Sequence, residues 1–126
     1  MPVGNEIGGY EGKFSSIRVL EINGEERVIE GAYTLKVSGQ LSGTVSATMT
    51  FTGRHERGTL TNLGVAYLDS GGVLSSKGQG VYWASGDGQW QTRAAIMLGD
   101  QMIVGEGQIT LSNGEFSLAG KIFELT

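Results

Sequence analysis

Residues 44–52 alternate more strictly than any other stretch of the chain. Val45, Ala47, Met49 and Phe51 fall on one side, and Thr44, Ser46, Thr48, Thr50 and Thr52 on the other. A period of two is what a half-buried strand requires. Residues 33–41 repeat the pattern, with Tyr33, Leu35 and Val37 set against Thr34, Lys36 and Ser38 and with Gly39 as a candidate bulge. Residues 16–22 and 25–29 flank Asn23-Gly24 and read as a first hairpin. After a charged loop at 53–58 come five further runs, 59–68, 72–83, 89–98, 101–111 and 115–125. No ten-residue window carries a helical period.

The later runs are separated by Asp69-Ser70-Gly71-Gly72, Ser85-Gly86-Asp87-Gly88, Gly99-Asp100 and Asn113-Gly114. Gly, Asn and Asp reach the positive φ values of two-residue hairpin turns, so the pattern predicts sequential antiparallel hairpins. The predicted fold is an all-β, antiparallel up-and-down meander of eight or nine strands closing into a small barrel. Closure would remove exposed strand edges. Residues 13–126 form that single domain, and residues 1–12, Gly-rich and without period, read as a mobile lead-in. Strand order near the N-terminus stays open, because the 53–58 loop could hide a crossover.

Counting outward from each turn predicts a register, and a one-residue slip would invert every face it touches. Asn113-Gly114 places Ile109 opposite Leu118, Glu106 opposite Lys121 and Ile103 opposite Glu124. Gly99-Asp100 places Ile96 opposite Ile103 and Arg93 opposite Glu106. Gly86-Asp87 places Trp83 opposite Trp90 and Lys77 opposite Ile96. Ser70-Gly71 places Gly64 opposite Lys77 and Asn62 opposite Gln79.

The face taken as the barrel interior then holds Leu60, Val81, Ile96, Ile109 and Leu118, with Asn62, Lys77, Gln79, Trp83, Trp90, Thr92 and Glu124 among them. Apolar walls with a few polar groups are the pattern of a ligand pocket. Asn62, Gln79, Trp83, Trp90 and Thr92 are the candidate ligand-binding residues. Lys77 and Glu124 are the candidate proton-transfer groups, since burial shifts the pKa of either. The bland readings are groups near a barrel mouth touching water, and a structural cross-strand tryptophan pair. On the opposite face Arg93, Glu106 and Lys121 form a surface charge ladder beside Leu63, Val65, Ala95, Met97, Met102, Val104, Phe123 and Leu125. An exterior that apolar points to a partner surface, most simply a second copy of the chain.

Composition narrows the function classes. The 126 residues include 22 Gly and 1 Pro, and 39% are hydrophobic, which suits a turn-rich globular β domain rather than disorder. The formal charge is −4 and the nine Lys and Arg are scattered, so nucleic acid is not an expected partner. No long apolar run or charged-then-apolar leader stands out, so no membrane partner is expected and a cytoplasmic location fits. With no Cys, thiolate chemistry is excluded. His55, the single histidine, lies in Arg54-His55-Glu56-Arg57 without the second His of a helical zinc signature, and reads as loop. Gly78-Gln79-Gly80 and Gly105-Glu106-Gly107 fall inside strands, with no helix N-terminus to bind a dinucleotide. No metal site and no cofactor are expected.

Two stretches, residues 12–20 (Gly-Lys-Phe-Ser-Ser-Ile-Arg-Val-Leu) and residues 64–82 with Gly72-Val73-Leu74 and Gly78-Gln79-Gly80-Val81, resemble a group of small uncharacterised prokaryotic β-barrel proteins. That resemblance implies no activity. In architecture the chain is similar to allene oxide cyclase-like and dirigent-like barrels, which implies trimers and apolar substrates held in the lumen. Three readings follow. One is a homo-oligomeric barrel binding a small apolar molecule in its lumen. Another is a cyclase- or isomerase-like enzyme using Glu124 or Lys77. The last is a non-catalytic interaction module acting through Leu63, Val104, Phe123 and Leu125.

Overall fold

In the computed structural model, which describes residues 3–125, eight antiparallel strands follow one another around a closed barrel. They are β1 (Val3–Asn23), β2 (Glu26–Gly39), β3 (Gly43–Gly53), β4 (Arg57–Leu68), β5 (Val73–Gly86), β6 (Gln89–Leu98), β7 (Gln101–Ser112) and β8 (Glu115–Leu125). Each pairs with its neighbours in the chain, and β1 pairs with β8 to shut the ring. The expected all-β meander is the fold observed. Runs 25–29 and 33–41 are one strand, β2, because Gly31 and Ala32 continue the ladder to both neighbours. The 53–58 loop is a hairpin connection, with β3 and β4 paired from Gly43↔Leu68 to Gly53↔Gly58.

Of the expected mobile lead-in, residues 1–12, the first two lie outside the described residues and the other ten are strand. They form the first half of β1, paired with β2 on one edge and β8 on the other. Glycines hid the alternation there. Gly8 and Gly12 approach the Ser38 and Thr34 carbonyls so closely that a Cβ would collide with backbone.

The register of the last two hairpins is the one expected. Ile109 faces Leu118, Glu106 faces Lys121, Ile96 faces Ile103 and Arg93 faces Glu106. Strand β5 differs. Asp87-Gly88, not Gly86-Asp87, are the loop residues between β5 and β6; Gly88 takes φ +66° and a bulge lies between Ala84 and Gly86. Lys77 therefore faces Met97, and Trp83 faces Gln91. On the other side Lys77 faces Leu63, and Asn62 faces Gly78, again one residue from expectation. The two slips leave β4 and β6 with their expected faces and invert β5 alone. Ser76, Gly78, Gly80 and Tyr82 point inward on β5.

The interior is packed at its waist. Leu60 and Leu118 are 1% and 2% exposed, and Tyr33, Met49, Ala94 and Ile109 join them in one core cluster. Below the waist Phe14 packs on Tyr33 and Phe51, and Phe51 meets Tyr82 edge-on with ring centroids 5.5 Å apart. Such pairs add to what burial alone contributes.

Candidate functional site

Two chambers flank this waist. The upper one, about 100 Å³, opens toward the barrel end framed by the half-buried leucines 41, 68 and 98. Its walls are aliphatic: Leu35, Val45, Ala94, Ile96, Ile103 and Ile122 among others. Set into them are the Tyr10 and Tyr33 phenols, Asn62, Ser76 and Thr92. None of the described residues lining this chamber carries a formal charge.

Each polar group has a reason for its position. Asn62 and Thr92 lie on β4 and β6 in the inward phase, and both are buried. Tyr10 reaches across from β1, and its hydroxyl lies over glycines of β7 and β8. A Cβ at Gly107 or Gly120 would strike that hydroxyl. Burial pushes the Tyr10 phenol up to about 12, against the opposing effect of its hydrogen bond with Thr92. Burial raises Tyr33 as well, opposed by its interaction with the Asn62 amide. Both phenols therefore stay protonated at neutral pH and can serve a ligand as hydrogen-bond donors, not as bases.

Asn62 Oδ1 is the exception among these groups. It is buried and has no hydrogen-bond donor among the described residues. It lies against Gly78, where a Cβ would collide with it. An unpaired buried carbonyl costs about 1–3 kcal/mol, so natural barrels rarely keep one without a purpose.

The lower chamber, about 180 Å³, is an aromatic box of Phe14, Phe51, Tyr82, Trp90 and Phe116. The loop between β3 and β4 is tied across its mouth. Tyr82 Oη–H donates to the Arg54 carbonyl at 2.6 Å, Trp90 Nε1–H donates to the His55 carbonyl at 2.8 Å, and Ala84 N–H donates to the Glu56 carbonyl at 2.7 Å. Arg54 also reaches Glu25 at 2.8 Å. His55 is exposed, as a loop histidine would be, with its ring 2.6 Å from Glu56.

The residues singled out in the sequence thus separate. Asn62 and Thr92 meet in the upper chamber, and Trp90 belongs to the lower one. The interior placement of Lys77, Gln79 and Trp83 is corrected: all three are exposed on the outer face, through the β5 slip. The Trp83–Trp90 pair does not form, and Trp90 instead packs on Phe116 at 6.3 Å. Glu124 faces Ile103 as expected, yet is half-buried and lines neither chamber. Neither chamber brings Lys77 and Glu124 together. Tyr10 and Tyr33 were missed as site residues. The signal for Tyr10 was present, since Tyr10, Gly12 and Phe14 alternate with Glu11 and Lys13.

No family model matches the chain, and no curated protein does. Solved structures do. The chain is similar to a protein of unknown function from Clostridium acetobutylicum ATCC 824, with a TM-score of 0.75 and 12% identity over 99% of this chain and 100% of that one. It is also similar to a conserved protein of unknown function from Rhodopseudomonas palustris, with a TM-score of 0.70 and 10% identity over 97% and 99% of the two chains. These likenesses are of fold: small barrels of the same architecture, spanning each chain nearly whole.

On the outer face, Leu63, Lys77, Met97 and Met102 form one row across four strands, with Leu63 61% exposed. The apolar exterior expected around Val104, Phe123 and Leu125 is smaller than its sequence suggests. Val104 is buried, and Phe123 and Leu125 are half-buried.

Proposed function

We propose that the upper chamber binds a small, uncharged, largely apolar molecule bearing one hydrogen-bond donor. The observation that carries this is Asn62 Oδ1, a buried acceptor left without a donor beside a charge-free, largely aliphatic cavity. A turn of the Asn62 side chain away from Gly78 would present this oxygen to a hydroxyl or N–H of the ligand, and the neutral Tyr33 and Tyr10 phenols would donate to a ligand oxygen. The charge-free lining disfavours ions, because nothing would offset their desolvation. Size adds a limit. An apolar protein cavity of roughly 150 Å³ holds benzene, so about 100 Å³ takes part of a ring or the end of a chain, the remainder extending through the leucine-framed mouth.

A cyclase- or isomerase-like version of this reading would rest on confinement and on hydrogen bonds from the two phenols, not on Lys77 or Glu124. Binding is the function the geometry supports best.

Titration of the ¹⁵N-labelled protein with cyclohexanol, with cyclohexanecarboxylate as the charged control, tests it. Cyclohexanol is expected to shift the amides of Asn62, Thr92, Ile96 and Leu118, and the carboxylate to leave them in place. Asn62→Leu removes the acceptor and narrows the chamber, so it should abolish those shifts. It should leave the stability of the empty barrel within about 1 kcal/mol of the parent, because losing the unpaired carbonyl offsets losing the amide contact to Tyr33. Shifts confined to the outer strands, or an Asn62→Leu protein that binds as well as the parent, would refute the proposal.

A further inference from the structure

We propose that two copies of this chain join edge to edge through residues 16–23 of β1, in an antiparallel pair about a two-fold axis between Val19 and Leu20. The barrel is closed, yet β1 outruns it. Its pairing with β8 ends at Lys13↔Ser117, while its pairing with β2 continues to Asn23↔Glu26. Among the described residues, no strand covers the second edge of β1 beyond Lys13. A bare edge offers a row of unpaired N–H and C=O groups to another strand.

The side chains of this segment are not those of a shielded edge. Ile17, Val19, Leu20 and Ile22 are 41%, 57%, 46% and 68% exposed. The register with β2 skips Leu20, which is a bulge. Ile17 faces Gly31, Val19 faces Ile29 and Ile22 faces Arg27, whereas Arg18 faces Glu30 and Glu21 faces Val28. The bulge therefore keeps Ile17, Val19 and Ile22 on one face and sets Arg18 and Glu21 together on the other. Without the extra residue, Ile17 and Ile22 would point opposite ways.

That arrangement is self-complementary. Placed antiparallel about the proposed axis, Ser16 meets Asn23 of the second copy, Ile17 meets Ile22, Arg18 meets Glu21 and Val19 meets Leu20. Apolar side chains oppose apolar ones on one face. On the other, an Arg opposes a Glu twice over, and Arg18 already leans on Glu30 of its own β2 at 3.7 Å. Cross-strand pairs of these kinds are the unit of sheet stabilisation, and like charges directly opposite are unfavourable. Charge complementarity of the segment with itself selects a second copy over an unrelated partner, and a two-fold makes each contact count twice.

Charge exchange tests the pairing. The parent protein should sediment above its 13.3 kDa monomer mass as a dimer that dissociates on dilution. Arg18→Glu alone and Glu21→Arg alone each create two like-charged pairs, and should weaken dimerisation roughly tenfold or more. An equimolar mixture of the two variants should recover the parent affinity as a heterodimer. The double variant Arg18→Glu/Glu21→Arg should recover it as a homodimer, although it carries the same altered contact to Glu30, which separates pairing from any loss of fold. A parent protein that stays monomeric at NMR concentrations would overturn the proposal. So would an oligomer indifferent to the single exchanges, which would place the contact elsewhere, for instance on the Leu63–Met102 row. The chamber titration is independent of either result.

Discussion

Gly120→Ala is expected to destabilise the barrel by about 3 kcal/mol, a large part of the total stability of a small domain. The reason is the company Gly120 keeps. A Cβ there would meet the Glu106 carbonyl and the Gly107 Cα, both backbone, together with the Tyr10 hydroxyl. Backbone in a paired strand cannot step aside without breaking its ladder. Gly107→Ala should follow closely, since its Cβ would strike the Tyr10 hydroxyl and approach the Ala119 carbonyl at 2.8 Å. Because one of those two obstacles is a side chain, adding Tyr10→Phe to Gly107→Ala should return part of the loss, and should return less in Gly120→Ala. Gly105→Ala is the control. Its Cβ would lie 3.4 Å from Ile96 and 3.6 Å from Tyr10, ordinary contacts, so stability should change by less than about 1 kcal/mol. Urea unfolding of the parent and these five variants checks the order. Equal losses at Gly105 and Gly120 would mean that strand glycines matter through flexibility alone, and not through the space they leave for Tyr10.

The second large effect concerns alkaline pH. The Tyr10 phenol ionises near 10 in an unfolded chain and near about 12 in the barrel, because burial opposes the phenolate. Between those values the folded state holds a proton that the unfolded state has lost. The contribution is therefore complete below pH 10 and disappears as pH rises through the window. A shift of that size corresponds to about 3 kcal/mol, and Tyr33 moves in the same direction for the same reason. Urea midpoints should fall steeply from pH 10 upward, and Tyr10→Phe should remove much of the slope. A parent protein whose midpoint is flat up to pH 12 would show that the phenol is solvated, and with it the upper end of the lumen.

The fold was legible because turn chemistry recurs along the chain. Asn113-Gly114 takes positive φ at both residues, 53° and 76°, and the register counted from it was right to the last pair. Ser85-Gly86-Asp87-Gly88 was not decisive, because two overlapping dipeptides fit a two-residue turn equally well. That choice alone moves the register by two residues and keeps each face; the bulge between Ala84 and Gly86 adds the single residue that turned Lys77, Gln79 and Trp83 away from the lumen. The strand itself held the answer. Gly78 and Gly80 alternate with Lys77, Gln79 and Val81, and the glycines mark the crowded inner side, where Asn62 and Ala94 leave no room for a Cβ. The same reading explains Gly107 and Gly120 beneath Tyr10. Asn62 and Thr92 were recognisable as inward polar groups because β4 and β6 kept their phase. What no pattern could give is that Asn62 Oδ1 ends without a donor, since that depends on how side chains from β1, β2 and β5 divide the lumen.

Native mass spectrometry of the protein as purified, under gentle and then denaturing conditions, tests the ligand-binding account most directly. The expected spectrum shows the folded chain carrying a small neutral molecule that is released on unfolding and is absent from Asn62→Leu. A parent protein that appears only at its bare mass, and takes up no cyclohexanol when supplied with it, would contradict the account and leave the barrel as a scaffold acting through its surface.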